Sequence, residues 1–391
     1  MAETFDVKSL IAQRRPGWSL SQPFYTDAAV FREDVQHIFR TEWLFAGHIS
    51  RIPRPGDYFT YAIENDSIIV IRGADNAVHA HFNVCRHRGS QLCTQDSGHA
   101  PKLVCPYHQW VYGHDGALLS ARSLPEDAPR HEFGLKPAHV RVLEGFIFLS
   151  LAREPASFAE LERDFTPLFK PHGFAGAKIC HSHAYDVKAN WKLIVENSCE
   201  CYHCHTGHPE YCRIMSRPSS TDSSRHLEFY HERLKHYERC GLDTRPVEGP
   251  HYHASRYPFG KPGHVSESLD GKAVAPLMGS LTDADAGVLG ATLFPNFMFE
   301  ASGDYAVSFR FTPVHATLTQ VQTNWYVRGD AVEGRDYDVA RVIDFWKTTG
   351  EQDWKLCEDI QAGVNSSRYE PGPYSLDEEQ GVERFVQWYL K

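Results

Sequence analysis

Two short stretches, Cys85-Arg86-His87 and Cys105-Pro106-Tyr107-His108, constrain this chain more tightly than any others. Each supplies one thiol and one imidazole, and seventeen residues separate His87 from Cys105. Four such ligands hold a metal centre only where the intervening chain folds back and brings the two tips together. A structural Cys2His2 zinc site normally takes its two cysteines from one loop and its two histidines from another. Here each loop mixes the two types. A [2Fe–2S] centre with two cysteines on one iron and two histidines on the other suits that mixture, because both loops then reach both irons. Cys93, between the loops, is left as an ordinary thiol.

The surroundings of the loops read as short strands. Residues 58–63, 67–72 and 77–83 are rich in Val, Ile, Tyr and Phe, and Glu64-Asn65-Asp66 and Gly73-Ala74-Asp75-Asn76 separate them with turn chemistry. With further strands near 110–112, 116–120 and 146–151, residues 46–155 are expected to form a small all-β domain.

A second stretch, residues 190–209, carries different chemistry. Read as one helix, it places Glu196, Glu200 and His203 at i, i+4 and i+7, on a single stripe. Gly207 and Pro209 end that helix, so the chain can fold back and bring His208 beside His203. Two imidazoles and a carboxylate from elsewhere make the facial site of non-haem Fe(II) oxygenases, which leaves positions open for O2. A long helix expected over 334–364 offers Glu351, Asp353 and Asp359 as the carboxylate.

The rest sets the frame. A helix is expected over 27–42, strands over 291–328 and a short helix near the end, with 210–290 an aromatic-rich ordered cap. Residues 1–45 read as a segment packing on a catalytic domain of 156–391. A net charge of −10 argues against a nucleic-acid surface. No apolar run approaches the ~20 residues that span a membrane, and no basic-then-apolar leader begins the sequence. The expectation is a cytoplasmic protein with no membrane partner, its ten cysteines reduced.

The pattern C-x-H-x17-C-x2-H with Cys105-Pro106-Tyr107-His108-Gln109-Trp110, followed by Asn190-Trp191-Lys192-Leu193, Glu196-Asn197 and Glu200-Cys201-Tyr202-His203, resembles the α subunit of Rieske-type non-haem iron oxygenases over nearly the whole chain. Many ring-hydroxylating members carry aspartate where this chain has Glu200. Glutamate there, and Ser19-Leu20-Ser21-Gln22-Pro23-Phe24-Tyr25, resemble the branch that oxidises carnitine, glycine betaine and proline betaine. The resemblance implies an α+β chain: an N-terminal all-β Rieske domain and a helix-grip, START-like catalytic domain with a curved antiparallel sheet. It implies a Rieske [2Fe–2S] cluster on Cys85, His87, Cys105 and His108. Mononuclear Fe(II) would be held by His203, His208 and Asp353, with Glu200 bridging cluster to iron between protomers of a homotrimer and Asn197 beside the site.

With no G-x-G-x-x-G motif in the chain, electrons must come from a separate flavin- or ferredoxin-type NAD(P)H reductase. Oxidation of an N-methyl group would release formaldehyde. A quaternary ammonium is recognised by aromatic faces, and Tyr202, Tyr211, Phe294, Phe299 and Trp325 are the cage candidates. Aromatic-ring hydroxylation or aryl O-demethylation is the alternative reading, and an electron carrier without catalysis is the alternative of another class.

Overall fold

In the computed structural model, which describes residues 7–122, 124–125, 127–215 and 224–391, the chain divides into two compact units. One comprises residues 37–158; the other comprises the first 36 residues and 159–391.

The 37–158 unit is all antiparallel β. A four-stranded sheet runs Val78–Phe82, Asp66–Arg72, Asp57–Ile63, Ser97–His99, and two three-stranded sheets complete it. The Ile63↔Asp66 pairing closes on Glu64-Asn65, with Glu64 in the left-handed region at φ 50°. That two-residue connection fixes the register, and alternation then sends Ile69 and Ile71 inward. They join Leu103, Trp110, Tyr112 and the thiols of Cys85 and Cys105 in one buried cluster.

The other unit is built on a seven-stranded antiparallel sheet. Its order is Ala177–Val187, Leu318–Arg328, Tyr305–His315, Phe297–Ala301, Val288–Leu293, Tyr252–Tyr257, Val247–Glu248. Shifts of register between Ile179 and His181 and between Pro313 and His315 bend its long strands. The helix Val339–Val364 packs against the first strand and also against the helix Trp191–Ser198. The expected cap over 210–290 resolves, among described residues, into the helices Pro209–Ile214 and Ser224–Arg239 and into strands of the sheet itself.

Asn190 ties the short helix in place. Its side chain caps the helix by accepting from Lys192 N at 2.9 Å and donates to the carbonyls of Tyr25 and Ala316 at 3.2 and 2.7 Å. Its own N–H donates to Gln361 Oε1 at 2.8 Å. Four parts of the unit thus meet at one buried amide. Lys192, fully buried, pairs with Asp34, which also accepts from Trp191 Nε1 at 3.0 Å and Tyr389 Oη at 2.7 Å. Such a buried ion pair needs these extra donors to offset its desolvation.

Two expectations are corrected here. Residues 190–209 are not one helix: the helix ends at Ser198, and a turn precedes the short helical segment Cys204–Gly207. The stripe is therefore broken. Glu196 turns away from the imidazoles and accepts from Tyr25 Oη at 3.0 and 3.1 Å. The second correction concerns the thiols: Cys201 and Cys204 are joined in a disulfide around His203, while the other eight cysteines are free.

Burial pushes the Glu196 carboxyl up to about 8, against a downward pull from Tyr25 and Lys192. A carboxyl raised on folding contributes stability below its unfolded value near ~4.3 that is lost as pH climbs through its folded value. The melting-temperature advantage of Glu196→Gln over the native chain should therefore grow from pH 5 to about 8 and level off above it. An advantage that is constant with pH contradicts this assignment.

Candidate metal centres and their cavity

In the β unit the two cysteine loops have the same backbone. Gly89 N donates to Cys85 O and Gln109 N to Cys105 O, each at 3.0 Å. Cys85 N reaches Ser90 O at 2.8 Å, and Cys105 N reaches Trp110 O at 2.9 Å. Both loops turn through a left-handed residue at the same position, Gly89 at φ 80° and Gln109 at φ 59°. Glycine adopts that conformation freely; Gln109 holds it at some strain. This is why a C-x-H and a C-x-x-H loop can face one another.

The four side chains converge. Cys85 and Cys105 are buried, while His87 and His108 present Nδ1 to Nδ1 at 3.1 Å with ring centroids 4.5 Å apart. Trp110 stacks on His87 at 5.0 Å. Burial raises the Cys105 thiol, but the backbone N–H groups of Tyr107 and His108, with help from Cys85 and Ser90, bring it below its ordinary value. Donors that favour the thiolate, in place before any metal arrives, are what an iron–sulfur cluster requires. Tyr112 Oη lies 3.3 Å from Cys85 Sγ and accepts from Arg86 N at 3.1 Å. Cys93 lies outside both loops, and burial pushes its thiol up to about 11, which suits an inert core residue.

In the other unit, three groups meet. His208 Nε2 lies 2.8 Å from Asp353 Oδ1, His203 Nε2 lies 3.1 Å from the same oxygen, and the two Nε2 atoms are 3.1 Å apart. Ligands at right angles and about 2.1 Å from one octahedral ion stand about 3.0 Å apart, so this triangle fits three cis positions. Neither Glu351 nor Asp359 shares it: they pair with Lys347 and Lys355 on the outer face of the helix.

Each imidazole is held from behind. Glu200 Oε1 contacts His203 Nδ1, and Glu200 Oε2 accepts from the backbone N–H of Tyr202 and, at 3.3 Å, of His203. His208 Nδ1 meets Gln352 Oε1 at 2.8 Å, and Gln352 Nε2 donates to Glu210 Oε2 at 3.2 Å. With Nδ1–H engaged, it is Nε2 of each ring that faces the centre and would ligate a metal once deprotonated. Asn197 Nδ2 lies 3.2 Å from His203 Nε2 and borders the same point. Burial lowers the His203 imidazolium, but Asp353 and Glu200 together raise it to about 9; His208 is raised for a like reason, and Asp353 is lowered against its burial. The triangle already has the field of a cation site.

A cavity of about 50 Å³ adjoins this point. Its walls include Tyr211, Phe309, Trp346 and Trp354. Phe309 meets Trp346 edge-on at 5.6 Å and Trp354 at 6.2 Å, and Tyr211 meets Trp346 at 6.1 Å. Of the five cage residues expected from sequence, only Tyr211 lines it. Tyr202 is 64% exposed. Phe299 points to the other face of its strand, against Phe169 and Phe174; Trp325 packs on His181; and Phe294 packs on Phe385 and Trp388. Alternation along Phe297–Ala301, with Met298 and Glu300 lining the cavity and Phe297 and Phe299 away from it, would have excluded Phe299. Trp346 and Trp354 lie in the buried apolar stripe of one helix, where nothing in the sequence separates cavity wall from core.

Residues 42–136 match the family described as the Rieske [2Fe-2S] domain, and residues 174–391 match that described as the ring hydroxylating alpha subunit (catalytic domain). The chain is 39% identical over 390 residues to the glycine betaine monooxygenase oxygenase subunit of Pseudomonas aeruginosa (strain UCBPP-PA14), covering 97% of this chain and 90% of the relative. It is 26% identical over 378 residues to the chloroplastic choline monooxygenase of Spinacia oleracea, covering 93% and 76%. Among solved structures, the quaternary ammonium Rieske monooxygenase CntA in complex with L-carnitine superposes with a TM-score of 0.72 at 22% identity, covering 98% and 99% of the two chains. At that identity the superposition speaks for the fold alone.

Hydrogen bonds to cluster sulfurs raise reduction potential by favouring the more negative reduced state. Loss of one bond worth about 1 kcal/mol corresponds to on the order of 40 mV for one electron. Tyr112→Phe should therefore lower the cluster midpoint by that order in protein-film voltammetry. An unchanged midpoint would mean that the Tyr112 hydroxyl does not act on Cys85.

Proposed function

The chain belongs to the family of Rieske oxygenase α subunits with a ring-hydroxylating catalytic domain, and from that premise we propose that it oxidises a small quaternary ammonium compound of the betaine type. The observation that carries this reading is the aromatic box of Tyr211, Phe309, Trp346 and Trp354 beside the His203–His208–Asp353 triangle. A quaternary nitrogen accepts no hydrogen bond and is held instead by ring faces, which act on it most strongly where water is excluded.

The residues divide the work. Cys85, His87, Cys105 and His108 would hold a [2Fe–2S] cluster, and His203, His208 and Asp353 an iron ion; when bound, these supply single electrons and O2 activation respectively. Glu200 and Gln352 keep the two imidazoles in the ligating tautomer. Asn197 places an amide donor at the edge of the centre. The aromatic walls exclude water and hold an N-methyl group toward it. In the net reaction, one N-methyl group of the quaternary ammonium, O2, two electrons and two protons give an N-hydroxymethyl group and water. That carbinolamine then breaks its C–N bond to release the tertiary amine, formaldehyde and a proton.

The electrons come from a separate reductase. An assembly in which the cluster of one protomer serves the iron of the next, with Glu200 as the bridge, is consistent with the inter-subunit electron transfer named for a CntA structure. A homotrimer is the assembly we propose.

With a surrogate reductase, the holoenzyme should consume O2 and release formaldehyde with glycine betaine, carnitine or another trimethylammonium compound, and not with benzoate or naphthalene. Turnover of an aromatic substrate alone contradicts the reading. Asp353→Ala should lose the mononuclear iron and all formaldehyde while the [2Fe–2S] absorption is retained. Gln352→Ala should weaken iron binding by about 10–100-fold. Iron content and formaldehyde yield per cluster check both, and full iron content in Asp353→Ala removes Asp353 from the ligand set.

A further inference from the structure

Glu300 is a buried carboxylate on the strand Phe297–Ala301 that the reading above does not use. Alternation places it on the same face as Met298, and both line the cavity beside the His203–His208–Asp353 triangle. The same two residues, with Ser198, also line a second cavity of about 380 Å³. Asp377, Glu378 and Arg384 also line it. Glu300 thus stands where the larger cavity meets the smaller, aromatic one.

Its orientation is fixed. Tyr257 Oη donates to Glu300 Oε2 at 2.6 Å. Across the strand pair, Glu300 faces Gly290, where a Cβ would stand only 3.0 and 3.1 Å from the two carboxylate oxygens. The carboxylate therefore lies in the space that Gly290 leaves open. Trp346, whose indole forms the adjoining wall, is anchored separately by donating Nε1 to Glu267 Oε1 at 3.1 Å. A rigid ring and a rigid carboxylate converge on one small volume.

We propose that Glu300 is the specificity-determining counter-ion for the substrate's quaternary nitrogen, met as the substrate passes from the larger cavity into the aromatic box. This rests on the quaternary-ammonium reading and deepens it. Ring faces attract the cation through their quadrupole; a carboxylate at the mouth adds a full opposite charge and strengthens the preference for a positive substrate. The neutral isostere, in which carbon replaces nitrogen, has the same shape and lacks that charge.

The test is titration calorimetry on the holoenzyme, with glycine betaine and its carbon isostere 3,3-dimethylbutanoate. The native protein should bind the betaine at least about tenfold more tightly. Glu300→Gln, which keeps size and one acceptor for Tyr257, should lose on the order of tenfold in betaine affinity while binding the isostere as before. Equal binding of both ligands by the native protein overturns the proposal, whether or not the variant folds. So does a variant that keeps its betaine affinity, or one that loses both ligands together, as a purely structural role would. If the native protein binds neither the betaine nor any other trimethylammonium compound, the substrate reading fails and the role of Glu300 falls with it.

Discussion

Three polar atoms that would repel or strand one another in a dry interior are held about 3 Å apart: His203 Nε2, His208 Nε2 and Asp353 Oδ1. The rest of the catalytic unit serves that triangle. Two of its atoms come from the loop after one helix and the third from a helix some 145 residues later, so local structure cannot build it. It depends on the packing of Trp191–Ser198 against Val339–Val364, and that packing is fastened at one end by the buried Asn190 amide. It also depends on Glu200 and Gln352, which turn the imidazoles so that each Nε2 points inward. Without a cation, Asp353 Oδ1 is within hydrogen-bonding reach of both imidazoles. With one, the same atoms would tie two distant parts of the chain through a shared ion.

The β unit solves a related problem with different means. Its ligands are close in sequence, and the two loops repeat one backbone turn, so the sulfurs are buried while the imidazoles remain at the tips. Backbone N–H groups already favour the thiolate of Cys105. The fold supplies the electrostatics of an anionic cluster before a cluster is present. That is why two small sheets, each offering one loop, suffice, whereas the mononuclear centre needs a seven-stranded sheet and several helices around it.

Much of this is legible in the residues. Mixed thiol and imidazole loops specify their own chemistry, and His203, His208 and Asp353 do meet. The outer partners are less visible. Glu200 is expected from a helical stripe that does not exist: the helix stops at Ser198, and Glu200 reaches His203 across a turn. Glu196, on the same imagined stripe, faces Tyr25 instead. The cavity walls are the least legible. Phe299 and Trp325 have the composition of a cage and the burial of core, whereas Phe309, Trp346 and Trp354 differ from them only in which way a strand or helix turns. Sheet register and helix rotation decide that, and both are set by contacts distant in sequence. The disulfide between Cys201 and Cys204 is likewise hidden, because a C-x-x-C pair reads equally as two free thiols.

The central claim is that two separate iron centres lie in one chain, one on mixed cysteine–histidine loops and one on two histidines and an aspartate. Electron paramagnetic resonance of the dithionite-reduced protein, with and without nitric oxide, tests it most directly. The account predicts a signal from the reduced [2Fe–2S] cluster together with a separate high-spin iron–nitrosyl signal, the second absent in Asp353→Ala and the first retained. A single signal, or the loss of both in that variant, would contradict it.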